Sequence, residues 1–259
     1  MKPFPPLLIL AVMAMVFLGI PIGLYVLLTR GQRRATREIK RGASERGWRY
    51  RVRHWQGDPT SFRIDGRTAA GLTWILKSVD ASGYNRGWTV VLGLHVPILG
   101  GEMDFAVLPR DPKDPNFAAL ASAVSPGAEA KIAGFSSAGA SAIEFLRHAR
   151  ETPAGLAAFD AAYQVITLPE KFRQPLVNSA LAERVLHWPD SAVRPHSLLA
   201  WRDPFGVQFQ ARLPGPPNWV TVSYFLALAE DFCAQVPPPA VPAIPRTFLD
   251  RLIARVQGE

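Results

Sequence analysis

Leu72-Thr73-Trp74-Ile75-Leu76-Lys77-Ser78-Val79 and Trp88-Thr89-Val90-Val91-Leu92-Gly93-Leu94-His95-Val96 flank the turn-forming run Ala81-Ser82-Gly83-Tyr84-Asn85-Arg86-Gly87. Both flanks are rich in β-branched and aromatic residues and are bounded by Gly and Asn, the composition of strands joined by a loop. So short a connection favours antiparallel pairing. Just outside this pair, residues 61–65 follow Gly57-Asp58-Pro59 and 103–108 follow the turn 97–101, so each predicts a further strand. The expectation is an antiparallel meander. Upstream, Trp48-Arg49-Tyr50-Arg51-Val52-Arg53-His54 alternates strictly. Trp48, Tyr50, Val52 and His54 fall on one side of a strand, and the arginines on the other. Arginines and aromatics that oppose each other make a half-buried strand with a solvated basic face, not a nucleic-acid stacking platform.

The second half mixes strands and helices. Residues 159–167 and the pair 197–202 and 206–213 read as strands. Residues 173–187 read as a helix with Pro175 in its first turn. Residues 221–236 read as an amphipathic helix capped by Thr221, with Val222, Phe225, Leu226, Ala229, Phe232 and Cys233 on one face. Short helices are expected over 117–124 and 141–150, around an Ala-, Gly- and Ser-rich loop at 125–141. The fold class predicted is α+β: an antiparallel meander sheet with packed amphipathic helices, preceded by a single transmembrane helix. The body spans 48–236, with 48–110 and 155–236 as candidate lobes. A stiff Pro-rich connector follows at 237–245, then a helix at 246–259.

The chain has 259 residues and a net charge of +8. Residues 30–53 hold ten basic and two acidic side chains, so this short stretch accounts for all of the excess, and residues 54–259 carry a net charge of −1. A basic chain suggests nucleic acid as partner, but here the excess sits beside an apolar run. No charged residue occurs from Pro3 to Thr29. Residues 7–28 would make a helix of about 33 Å, enough to cross a hydrocarbon layer of about 30 Å. The run is longer than a signal-peptide core, and Leu27-Leu28-Thr29-Arg30 offers no small-x-small cleavage site. Residues 29–47 read as a basic juxtamembrane helix stopped by Gly47. Its cations outnumber the single Lys2 on the other flank. The expected location is the inner (cytoplasmic) membrane, with residues 1–6 as a short tail outside and the body in the cytoplasm.

Arg30, Arg33, Arg34, Arg37, Lys40 and Arg41 recur at three- and four-residue spacing and are the candidate contacts for anionic lipid headgroups. The expected partners are the lipid bilayer and a protein yet to be identified, with no nucleic acid.

No catalytic constellation emerges. There is no Cys-x-x-Cys or His-x-x-x-His pair for zinc, and no cofactor motif, so none is expected. Gly134-Phe135-Ser136-Ser137-Ala138-Gly139 misses the nucleophile-elbow spacing by one residue. His187, Asp190 and His196 share a loop region and form the weak metal candidate. Cys233 sits on an apolar helical face, where an inert thiol is the default.

The order of anchor, basic helix, aromatic strand and meander, then Phe159-Asp160-Ala161-Ala162-Tyr163-Gln164-Val165, a helix, a strand pair and an amphipathic helix, is similar to that of bacterial single-pass membrane-anchored proteins carrying domains of unknown function. The resemblance covers residues 30–235 and implies no activity. The function class favoured is a non-catalytic interaction or scaffold module. The alternatives are a membrane-surface hydrolase with a site outside known motifs, and an anionic-lipid-sensing domain.

Overall fold

Residues 30, 33–52, 61–80, 89–110, 145, 147–172 and 174–238 are described by a computed structural model. The expected segments 7–28, 117–124, 125–141 and 246–259 lie outside them, as does most of the connector. Among the described residues no helix is long and apolar enough to cross a membrane.

Strands β1 (Arg49–Val52), β2 (Phe62–Arg67), β3 (Thr73–Asp80) and β4 (Val90–Val96) pair consecutively and antiparallel. This is the predicted meander, and alternation drives it. Phe62 and Ile64, Trp74 and Leu76, and Val90, Leu92, Leu94 and Val96 are buried on one face. The intervening positions face the other side.

The expected fourth meander strand departs from this plan. β5 (Phe105–Pro109) does not lie beside β4. The edge of β4 is taken instead by β9 (Gly206–Leu213), in a register running from Val90–Leu213 to Val96–Val207. A 3₁₀ turn at Pro97–Leu99 follows β4 directly. It lies against the tip of the hairpin formed by β8 (Ser197–Asp203) and β9, where the Gly101 N–H donates to the Asp203 carbonyl at 3.1 Å. The chain is thereby carried past the β4 edge, and β5 pairs with β8 and with β7 (Tyr163–Thr167). β6 (Arg150–Glu151) completes the described sheet in the order β1-β2-β3-β4-β9-β8-β5-β7-β6, antiparallel throughout. The two candidate lobes thus contribute to one sheet.

The strand expected over 159–167 and several helical expectations shift. Residues 159–167 divide into helix α2 (Ala157–Ala162) and β7. The Asp160 carboxylate accepts from the backbone N–H groups of Ala154 and Leu156 at 2.8 and 2.9 Å, which holds the helix entrance closed. The helix expected over 173–187 is α3 (Ser179–Leu186), and Pro175 lies before it. Asn178 is its N-cap, its side-chain oxygen accepting from Leu181 N–H at 2.9 Å. Likewise α4 (Trp219–Gln235) is capped by Asn218, not Thr221. Thr221 donates both its N–H and its hydroxyl to that asparagine at 2.8 Å. Its hydroxyl oxygen also accepts from Val193 N–H, which ties the loop before β8 to the helix. Of the helix expected over 141–150, residues 145, 147 and 148 are helical, 141–144 and 146 lie outside the described residues, and Arg150 begins β6.

Helix α1 (33–45) completes the described helices. Ile39 and Ala43 join the same core as α3, α4 and the buried face of β1–β4, β8 and β9. A second, smaller cluster lies on the opposite face. It contains Ala106, Leu108, Ile166, Leu168 and Leu199, covered by Phe145. The sheet is therefore covered on both sides at β5, β7 and β8, and every residue of β5 is buried. Across β1–β4 and β9 the described residues pack only on the helix side.

Candidate functional site

The candidate lipid-contact cations fall on or just before α1. Arg30, Arg33, Arg34, Arg37, Lys40 and Arg41 are all exposed. Arg34 pairs with Glu38 at 3.1 Å and Arg41 with Glu45 at 3.5 Å, both one turn apart on α1. Such exposed pairs contribute only a few tenths of a kcal/mol. Among the described residues no carboxylate pairs with Arg33, Arg37 or Lys40.

The other side of α1 is fastened to the body. Gly42 faces the Trp219 indole so closely that a Cβ there would overlap the ring. The Arg46 guanidinium lies 4.8 Å from the Trp219 ring centre and 5.4 Å from that of Trp48. Trp48 meets Trp74 edge to face at 4.8 Å. Gly47, at φ 69°, ends the helix in the left-handed conformation that glycine adopts without strain. The following Trp48 N–H returns to the Ala43 carbonyl at 2.9 Å. The basic helix is thus a wedged part of the domain.

The cation row on the face of the sheet away from α1, α3 and α4 was not legible in the sequence. On this face the register places Arg51 beside Arg63 and Arg63 beside Lys77. Gly93 stands beside Lys77, and Gln210 beside Gly93. Three like charges are direct cross-strand neighbours, an arrangement that weakens a sheet. One carboxylate, Asp65, serves two of them. It accepts from Arg63 Nε and Nη2 at 2.8 and 2.7 Å, and Arg51 Nε stands 4.0 Å away. At Gly93 a Cβ would meet nothing within 4 Å, so the row ends in an open gap. Alternation in 62–67 and 73–79 does put Arg63 and Lys77 opposite the apolar positions. Only the register, which sequence does not give, makes them neighbours.

Beneath β5 and β8 lies a buried ion pair. Arg202 Nη1 donates to Asp104 Oδ2 at 2.8 Å, and both side chains are almost wholly inaccessible, at 3% and 2%. Arg202 Nη2 also donates to the Pro237 carbonyl, at the start of the Pro-rich connector. Among the described residues Asp104 Oδ1 and Arg202 Nε have no hydrogen-bond partner. Burial raises the pKa of Asp104 and lowers that of Arg202, each opposed by the charge of the other. The pair is held by geometry against its desolvation.

A small cavity of about 10 Å³ lies between the sheet and α4, lined by Trp74, Leu94, Leu226, Glu230 and Cys233 among others. That is about the least space one water needs. Burial pushes the Cys233 thiol up to about 12, so it stays protonated at neutral pH and is a poor nucleophile. None of the described histidines lines this cavity. His95 Nε2 lies 2.5 Å from the Phe205 carbonyl, and His187 Nδ1 lies 3.0 Å from Glu183 Oε2. Among the described residues no three His, Cys, Asp or Glu side chains gather as a metal site, so His187, Asp190 and His196 are not brought together as one. His54 and the Gly134–Gly139 run lie outside the described residues.

Burial also pushes the Tyr163 hydroxyl up to about 12, from an ordinary 10.0, while the Cys233 thiol starts from 9.0. The folded chain therefore keeps protons that the unfolded chain releases. Their contribution is complete below pH 9 and is lost as pH rises from there to about 12. Urea midpoints measured at unit steps from pH 8 to 11 are expected to fall across this window. In Cys233→Ala the decline should start near 10, where Tyr163 begins. A parent midpoint unchanged between pH 8 and 10 would contradict the burial of this thiol.

No protein-family model matches the chain, and no curated protein or solved structure is similar to it.

Proposed function

We propose that the chain is a single-pass membrane protein of the inner membrane, anchored by residues 7–28, with its N-terminus outside and its body in the cytoplasm. There it works as a non-catalytic interaction module. One observation supports this most directly. The exposed cations of α1 directly follow an uncharged run, and the opposite side of the same helix is wedged against Trp219 and the core. A helix leaving a bilayer in this way holds the domain at a fixed attitude to the surface, as a scaffold requires. Arg33, Arg37 and Lys40 then meet anionic headgroups, each contributing about 1 kcal/mol near the surface.

A reporter pair fused at Glu259 tests the topology. A fluorescent protein there is expected to be bright and an alkaline phosphatase inactive, and the opposite result would overturn the orientation. Reversing Arg33, Arg34 and Arg37 to Glu should reduce the dependence of the body's membrane contact on anionic lipid. The fold should be unchanged, because these side chains are exposed.

A further inference from the structure

We propose that the cluster of Arg46, Trp48 and Trp219, at the end of α1 far from the anchor, is a second contact with the anionic surface of the bilayer, so that α1 lies along the membrane instead of rising from it. This deepens the reading of the chain as an anchored module and rests on it.

The outer side of α1 is one continuous stripe. Arg33, Arg37, Lys40 and Ser44 follow one another at four- and three-residue spacing, and all four are exposed. The buried Ile39, Gly42 and Ala43 lie on the other side. The stripe therefore runs the length of the helix, over which residues 33–45 rise about 18 Å. The two acids of this stretch do not interrupt it, because Glu38 and Glu45 are each paired with an arginine one turn earlier.

The stripe ends at the cluster. Arg46 is exposed, and its guanidinium lies over both indoles, 4.8 Å from the ring centre of Trp219 and 5.4 Å from that of Trp48. Both tryptophans are half-buried. Half-exposed indoles beside a cation suit the headgroup layer, where the rings take the apolar side and the guanidinium meets phosphate. The turn at Gly47 lets the backbone approach, since among the described residues a Cβ there would meet nothing within 4 Å.

Distance decides the attitude of the helix. The uncharged run ends at Thr29. A helix continuing straight from there would put residue 45 about 24 Å beyond the hydrocarbon edge, and Lys40 about 17 Å. Both are past a headgroup layer of about 5–7 Å and a further Debye length of about 8 Å. Laid along the surface, Arg33, Arg37, Lys40 and Arg46 all come within reach of the phosphates. Attraction to an anionic surface thus favours the flat attitude, and the packing of Gly42 on Trp219 carries the domain down with the helix. The sequence supplies Gly31 ahead of α1, a residue that tolerates the turn this requires.

Other occupants fit less well. A nucleic-acid strand stacks its bases on free aromatic faces, and here Arg46 already lies over both rings. An acidic protein would match the charge, but the uncharged run directly ahead of the stripe holds it at the bilayer.

The test uses the full chain in lipid nanodiscs, in a Cys233→Ala background, with an environment-sensitive dye at Ser44→Cys or at Arg33→Cys. The discs are phosphatidylcholine alone or an equal mixture with phosphatidylglycerol. The dye at Ser44→Cys should shift to the blue on the mixed discs, and high salt should reduce the shift at least twofold. Arg46→Gln should reduce it at least twofold while near-UV circular dichroism stays that of the parent. Arg37→Gln with Lys40→Gln, which leaves the cluster intact, should do the same. An unchanged difference between the two disc types in both variants would make these side chains bystanders and overturn the inference. A shift at Arg33→Cys without one at Ser44→Cys would mean an upright helix, overturning the inference while the anchored reading stands. No shift at either position would overturn both. A shift at Ser44→Cys brought by soluble polyglutamate and not by phosphatidylglycerol would give the stripe to an acidic protein.

Discussion

Arg202→Leu is expected to lower the unfolding free energy of the full chain by about 3–5 kcal/mol, because it strands Asp104 as an uncompensated buried charge. Asp104 is 1% exposed, and among the described residues its Oδ1 already lacks a hydrogen-bond partner. Removing the guanidinium takes away the donor to Oδ2 and the counter-charge together. The carboxyl must then be protonated or draw water into the core. The double variant Asp104→Leu with Arg202→Met replaces both charges by apolar side chains and should recover at least half of that loss. Urea melts in detergent, read by tryptophan fluorescence, give both numbers. A single variant within 1 kcal/mol of the parent would show that the pair is not desolvated as described. The double variant also loses the donor that Arg202 offers to the Pro237 carbonyl. Protease cleavage in the Pro-rich connector should therefore accelerate even where stability is restored.

Gly206→Ala should be comparably damaging, at about 3 kcal/mol or more, for a steric reason. Gly206 has φ 143° at the tip of the β8–β9 hairpin, a conformation that side-chain-bearing residues rarely adopt. A Cβ there would overlap the Val96 carbonyl oxygen and stand 2.8 Å from both His95 Nε2 and the Pro97 Cα. Two of those neighbours are backbone, so neither can rotate away. Asp203 Oδ1 pins the same turn by accepting from Phe205 and Gly206 N–H at 2.8 and 3.0 Å. Gly93→Ala is the control, since its Cβ would meet nothing within 4 Å. It should shift the thermal midpoint by no more than a degree or two. Equal midpoints for the two alanine variants would refute the close approach.

The sequence carried the elements whose signal is local. Alternation placed β1, and β-branched and aromatic composition between turn signals placed β2, β3, β4, β8 and β9, within a few residues. It carried less where two signals compete. Around Phe159 an apolar run long enough for a strand hides a helix closed by Asp160, whose two backbone hydrogen bonds reach residues upstream of that run. At 173–187 Val177 is buried as a helical face there would require, yet it belongs to the segment before the Asn178 cap. Pairing between distant strands was not legible at all. Nothing local to 103–108 says that β5 leaves the meander, because the cause is the hairpin that occupies the β4 edge. The same limit concealed the cations on the far face of the sheet. A near-neutral charge over 54–259 is an average, and the register gathers part of the positive half of it into a row.

The β4–β9 seam also bears on how the chain is made. The partner of β4 lies more than a hundred residues downstream. At a synthesis rate of about 5–20 residues per second, the nascent meander waits roughly 6–25 s with that edge bare. During the interval Val90-Val91-Leu92-Gly93-Leu94-His95-Val96 presents an apolar strand, free of formal charge, to any other nascent chain. Expression in which translation is slowed within residues 145–205 should lengthen the wait and raise the insoluble fraction, while a chaperone that covers strand edges should lower it.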